Sequence, residues 1–319
     1  MKQLVGALLL IAVPAIAAQV QLDNLESLKG LYGYDAEQPL DVQETFLFEK
    51  DWAKVYDITY ASPKKGRVTA YLVVPAGDGP HAGLVFGHWG PGNRTEFLSE
   101  ALLYAEVGAA SLLIDYPWVR PAPWRQNLQF FGAPESDHEN FIQAVVELRR
   151  GIDVLLARAD VDPNRLAYIG HSYGAQWGAI LSAVDDRIKA AVLIGGAPDL
   201  ASIFLKSDAP EMVNIRETVP EEDMEKYLQV NACTDPVHYV EHADPTPILF
   251  QFARHERYFD EAIMNKYYQA AREPKAVRWY DTGHELNDMQ ALIDRSNWMR
   301  DKIEVGSITE ILVRRLQEE

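Results

Sequence analysis

Gly170-His171-Ser172-Tyr173-Gly174 is the stretch of this chain with the clearest chemical meaning. It follows the apolar run Leu166 to Ile169 directly and opens a helical pattern near Ala175. A serine on a tight strand-to-helix turn presents its hydroxyl as a nucleophile. The turn needs glycine two residues to either side, because a side chain there would strike the adjoining strand and helix. Such a hydroxyl attacks a carbonyl once a nearby base takes its proton, so the chemistry suggested is acyl transfer through Ser172. His284 fits the base. It lies in Tyr280-Asp281-Thr282-Gly283-His284-Glu285, after the last strand-like run and before a helical pattern with Leu286, Met289 and Ile293. Other histidines fit less well: His171 adjoins the serine and points elsewhere, His81 precedes a strand, and His138 belongs to a helix start. His238 and His242 stand four apart with Asp235, Glu241 and Asp244 nearby, a spacing that puts two imidazoles on one helix face. No Glu follows His238, and Pro236 and Pro245 leave barely two turns between them. These read as surface histidines, and no metal is expected.

The elements around these residues set where they meet. Val42 to Lys50, Val55 to Tyr60 and Val68 to Val74 alternate apolar and polar residues between turn signals, which predicts antiparallel strands with one solvated face. Gly83 to Phe86, Ala110 to Ile114, Leu166 to Ile169, Ala190 to Ile194, Ile248 to Phe252 and Ala276 to Tyr280 are continuous apolar runs, the pattern of strands buried on both faces. Between them, Leu98, Ala101, Leu102 and Ala105 make one helical stripe, and Phe141, Val145, Leu148, Ile152 and Leu155 make another, with Ser136 and Glu139 as its expected capping box. The alternation predicts a mostly parallel, doubly wound α/β sheet with helices on both faces. Residues 197–245 interrupt it with a helical, cap-like insertion whose apolar content is too small for a core of its own, so residues 19–319 read as one domain.

With the Gly170–Gly174 turn in this context, the chain resembles the α/β-hydrolase superfamily from about Val42 onward, and within it the esterase and dienelactone-hydrolase-like branch. The resemblance implies the order serine, acid, histidine, with the acid after the strand that follows the insertion. In Ala253-Arg254-His255-Glu256-Arg257-Tyr258-Phe259-Asp260 the family's acid slot holds Glu256 in place of the commoner Asp. Asp260 is the alternative, although it stands where a helix with Ile263, Met264 and Tyr267 needs an N-cap. The family's oxyanion donors would be the backbone N–H of Tyr173 and one from Gly87-His88-Trp89-Gly90-Pro91-Gly92. That loop is similar to the family's His-Gly-x-Gly turn with two residues exchanged, which points to Trp89, with Gly90 the other candidate. Tyr116, Trp118 and Trp124 follow the strand ending at Asp115 and could line a substrate pocket, and Arg120 and Arg125 could bind a substrate carboxylate.

Composition bounds the partners. Thirty Lys and Arg against 47 Asp and Glu give a formal net charge of -17, which disfavours nucleic acid. Cys233 is the one cysteine, so neither an internal disulfide nor a cysteine metal cluster can be built. Lys2, the apolar run Leu4 to Ile16 and Ala15-Ile16-Ala17 have the form of a signal peptide over residues 1–18, cleaved after Ala17 or Ala18. That run is short of the roughly 20 residues a bilayer crossing needs, so no stable membrane insertion is expected. The sequence therefore points to a secreted or periplasmic serine hydrolase that cleaves a small-molecule carboxylic ester without a cofactor. A peptidase, amidase or lactone hydrolase of the same fold competes with it, and so, from a different class, does a non-catalytic hydrolase-like binding protein.

Overall fold

The computed structural model describes residue 22 and residues 24–318; the signal-like residues 1–18 lie outside the described residues. A short helix α1 (Leu25–Gly30) leads into three strands, β1 (Gln43–Lys50), β2 (Ala53–Ala61) and β3 (Arg67–Pro75). Then follow β4 (His81–Gly87), α2 (Leu98–Glu106), β5 (Ala109–Ile114), α3 (Pro134–Leu156), β6 (Val161–His171), α4 (Tyr173–Val184) and β7 (Ile188–Ile194). The insertion carries α5 (Leu200–Lys206), α6 (Pro210–Thr218), α7 (Glu221–Asn231) and α8 (Val237–Val240). The chain closes with β8 (Ile248–His255), α9 (Glu261–Ala270), β9 (Lys275–Gly283), α10 (Met289–Ile303) and α11 (Ile308–Glu318).

All nine strands form one sheet in the order β1-β2-β3-β5-β4-β6-β7-β8-β9. The pairs from β1 to β5 through β2 and β3 are antiparallel, and those from β5 through β4 to β9 are parallel. Neighbouring residues of the inner strands enter opposite cores. Leu72, Leu112, Val85, Tyr168, Leu193 and Phe250 join one buried cluster with α3 and α4, while Val73, Leu113, Phe86, Ile169, Val192 and Leu249 join a second with α2 and α10. That division is why these strands read as nearly unbroken apolar runs: with both faces covered, both alternate sets of positions are mainly apolar, Ser111 and Gln251 being buried polar exceptions.

Three local expectations differ from the structure. Ala276 to Tyr280 sits in the edge strand β9, where Tyr280 is the one buried residue, so its apolar run does not mark burial on both faces. At the other edge, all eight residues of β1 are exposed, whereas β3 is mostly buried, so the three entry strands do not share one solvated face. Helix α3 starts two residues before the supposed capping box: Pro134 occupies its first turn, where a missing N–H costs nothing, and Ser136 falls inside the helix. The Asp137 carboxylate accepts instead from the N–H groups of Gln129 (2.7 Å) and Phe130 (2.6 Å), tying the preceding loop to the helix.

The topology places the site. The chain runs from β4 to β5 on one side and later to β6 on the other, so the strand order reverses between β4 and β6. A crevice at the carboxyl ends of strands at such a reversal is where open α/β sheets bind ligands. The loop after β4 and the turn after β6 both open there, and the insertion leaves the same edge after β7.

Candidate active site

Ser172 stands between β6 and α4 with φ 55° and ψ -112°, a backbone conformation that a side-chain-bearing residue adopts only when its surroundings enforce it. Its N–H donates to the Ile194 carbonyl (2.7 Å) at the end of β7, and the Gly174 N–H donates to the His88 carbonyl (3.1 Å) beyond β4. The flanking glycines are needed for contact distance. A Cβ on Gly174 would lie 2.1 Å from the Gly87 carbonyl oxygen, and one on Gly170 2.4 Å from that of Gly174. The turn thus grips two neighbouring strands while holding the serine side chain outward.

His284 Nε2 lies 3.0 Å from Ser172 Oγ, and His284 Nδ1 lies 2.7 Å from Glu256 Oε2. The other Glu256 oxygen accepts from the backbone N–H of Arg257 (2.9 Å) and Tyr258 (3.0 Å), which fixes the carboxylate at the end of β8. Both side chains are shielded, at 5% exposure for His284 and 1% for Glu256, and the Tyr258 ring stands edge-on to the imidazole with centroids 4.8 Å apart. A carboxylate can only accept, so Nδ1 carries the proton and Nε2 turns its lone pair toward the hydroxyl. Of the two acids that the sequence left open, Glu256 is the one that reaches His284. Asp260 is the N-cap of α9, its Oδ1 accepting from the Ile263 N–H at 2.8 Å.

The oxyanion side differs from the sequence expectation. Tyr173 is the first residue of α4, where a backbone N–H has no carbonyl partner within the helix. Trp89, expected as the second donor, has its N–H committed to Glu96 Oε2 at 2.8 Å. The next residue, Gly90, makes no N–H hydrogen bond among the described residues, and a Cβ on it would lie 3.6 Å from the Tyr173 ring. Of the two candidates in this loop, Gly90 is therefore the one whose N–H is free. The cause of the shift is a network that no motif announced. Glu96 Oε1 lies 2.6 Å from His171 Nδ1, and His171 Nε2 lies 3.0 Å from the His284 carbonyl oxygen, so one carboxylate and one imidazole join the loops after β4, β6 and β9. His88 braces the same loop: its Nε2 accepts from the Tyr116 N–H (3.1 Å), which leaves Nδ1–H to donate to the Trp89 carbonyl (2.6 Å). Burial, helped by nearby Arg120 and opposed by the hydrogen bond to the Trp89 carbonyl, brings the His88 imidazole down to about 3, so the ring stays neutral and keeps this tautomer.

A cavity of about 700 Å3 opens over Ser172 and His284. Trp118 lines it and donates from its indole N–H to the Gly90 carbonyl (2.7 Å). The other two aromatics expected there do not. Tyr116 is fully buried beneath the loop against Tyr168, and Trp124 packs on Gly66 in the turn between β2 and β3. Arg120 is also buried, paired with Glu147, which removes it as a carboxylate receptor, whereas Arg125 lines the cavity with its Nε–H held by the Arg120 carbonyl (2.7 Å). The walls that the sequence missed are Leu200, Ile203 and Phe204 of α5, Met212 and Ile215 of α6, and Phe259 after β8. His238 lies in the four-residue helix α8 and His242 beyond its end, so the two do not share one helix face. Among the described residues no group of three or more His, Cys, Asp or Glu could hold a metal ion, and no helix is long and apolar enough to cross a membrane.

A mostly parallel sheet with a strained serine turn at its reversal point and helices on both faces gives this chain the α/β-hydrolase fold. Known proteins narrow the likeness. The family model for acetyl xylan esterase (AXE1) matches residues 26–120, a match that ends before Ser172. Acetyl xylan esterase from Paenibacillus sp. R4 superimposes with a TM-score of 0.70 at 22% identity, covering 88% of this chain and 93% of that one. Acetyl xylan esterase 1 from Thermoanaerobacterium sp. JW/SL YS485 gives 0.68 at 15%, covering 86% and 92%. The 2,6-dihydroxy-pseudo-oxynicotine hydrolase gives 0.60 at 14%, covering 83% and 68%. At these identities the structural likeness speaks for the shared fold.

Proposed function

We propose that this protein is a serine hydrolase that cleaves a carboxylic ester through an acyl-enzyme. The observation that carries the reading is the unbroken chain Glu256–His284–Ser172, with links of 2.7 and 3.0 Å, at the mouth of a cavity. His284 Nε2 takes the Ser172 proton as Oγ attacks the ester carbonyl, and Glu256 holds the imidazolium that forms. The N–H groups of Tyr173 and Gly90 meet the oxyanion. His284 then protonates the departing alcohol, and a water activated by the same nitrogen releases the acid. Every group required is a side chain or backbone N–H of this chain, so the reaction needs no cofactor. Two acetyl xylan esterases among the structural relatives, and the partial match to that family, put esters first among acyl substrates. The residue-1–18 pattern supports export of the protein as part of the same proposal. Ser172→Ala should abolish ester hydrolysis and labelling by a fluorophosphonate while leaving the melting temperature near that of the parent. Undiminished turnover in that folded variant would overturn the reading.

A further inference from the structure

The size and lining of the cavity bear on which ester is cleaved, an inference that rests on the catalytic reading above. Six of its 24 lining residues are polar, Asn93, Arg125, Asn127, Ser172, Gln176 and His284, and two of these are the reacting pair. Among the described residues no carboxylate lines it, although the chain carries a net charge of -17. The remaining walls are glycines and apolar or aromatic side chains drawn from the loops after β4, β5 and β7, the start of α4, the two insertion helices α5 and α6, and the stretch after β8. At about 30 Å3 per small group, 700 Å3 holds on the order of twenty non-hydrogen atoms. An acetylated sugar bound here would set its polar hydroxyl groups against leucine, isoleucine, phenylalanine and methionine. Apolar surface of that kind rewards burial of hydrocarbon, not of hydroxyl groups that lose water without finding partners.

We propose that the preferred substrate is an ester with a large apolar group, a medium-length alkyl chain or an aromatic ring, and that Ile203 of α5 and Met212 of α6 set its size. Both are half-buried residues of the insertion that face the cavity, so they shape it without belonging to the core of the sheet. The apolar group can sit on the acyl or the alcohol side of the ester, and the two sides are separable by experiment. One arm measures kcat/KM for p-nitrophenyl esters from acetate to decanoate; the other compares methyl, hexyl and naphthyl acetates. Burial of each added methylene should raise kcat/KM by about fourfold until the cavity is full, in the arm that matches the pocket. Ile203→Trp or Met212→Trp should lower the ratio of kcat/KM for the longest ester to that for acetate by at least about tenfold.

Each variant is checked with a small methyl fluorophosphonate, whose reaction with Ser172 reports an intact nucleophile without needing the pocket. Flat or falling series in both arms, with Ser172 still labelled, would overturn the substrate assignment and leave the catalytic reading standing. A rising series that neither tryptophan alters would overturn the role of the insertion helices. Failure of the parent protein to react with the small probe would instead strike the catalytic reading, and the substrate assignment would fall with it.

Discussion

Glu256 and Asp260 are four residues apart and chemically alike, yet the structure gives them different work. Glu256→Gln keeps the shape but cannot offset an imidazolium charge and favours the wrong tautomer of His284, so kcat should fall by about 10³ to 10⁴ at neutral pH. Asp260→Asn leaves a nearly equivalent cap on α9, and both rate and melting temperature should stay close to the parent. Rates and thermal unfolding of the two variants, measured side by side, check this; the reverse pattern would assign Asp260 to the triad. At this scale the sequence was most legible where geometry constrains residue type. The glycines of the Ser172 turn are required by contacts near 2 Å, and such a requirement leaves a pattern in sequence. Trp89 was misread for the opposite reason. Its N–H is captured by Glu96, seven residues further on, and nothing in the type or spacing of that glutamate shows which way its carboxylate turns.

Between elements, the question is what keeps three loops in register around one serine. Glu96 and His171 supply a link from the loop after β4, through the residue before the nucleophile, to the backbone of His284. Glu96→Ala would leave the Trp89 N–H and one nitrogen of a buried His171 without partners. A loss of about 1 to 3 kcal/mol in stability is expected, read from urea unfolding. Turnover should drop more than KM rises, because His284 and the donor loop are displaced while the cavity walls on α5 and α6 are untouched; a variant with parental kcat and stability would show the link to be idle. The elements themselves were largely readable, since β4 to β8 are covered on both faces and their composition reflects it. Reading failed at boundaries. The strand β9 owes its apolar run to one-sided packing at an edge, and α3 begins at a proline upstream of an apparent capping box. The cavity walls on α5 and α6 were hidden because an irregular insertion reveals which residues are apolar but not which way each one faces.

For the molecule as a whole, charge and burial pull against each other. The run from Lys2 to Ala17 predicts that protein recovered from its native host begins near Ala18 or Gln19; intact mass that retains Met1 in a soluble cytoplasmic fraction would contradict export. The insertion has no core of its own: Leu200, Phe204, Met224 and Tyr227 join the cluster on one side of the sheet. Its attachment includes Asp235, which is almost completely buried and accepts from the Leu200 N–H at 3.0 Å, at the start of α5. Burial pushes the Asp235 carboxyl up to about 8, with Asp199 adding to the rise, while the Leu200 N–H and the more distant Lys266 oppose it. On unfolding the group returns to the ordinary aspartate value of about 3.9. Between those two values the folded state holds a proton that the unfolded state has released, so stability must fall as pH rises through the window and level off above it. Asp235→Asn retains an acceptor for the Leu200 N–H and carries no charge at any pH. Its melting temperature should therefore exceed that of the parent at pH 8 and above, with the gap narrowing steadily as pH falls toward 4. Melting curves of both proteins at unit pH intervals test it, and a gap that does not change with pH would mean that Asp235 is not the buried acid that couples the insertion to proton binding.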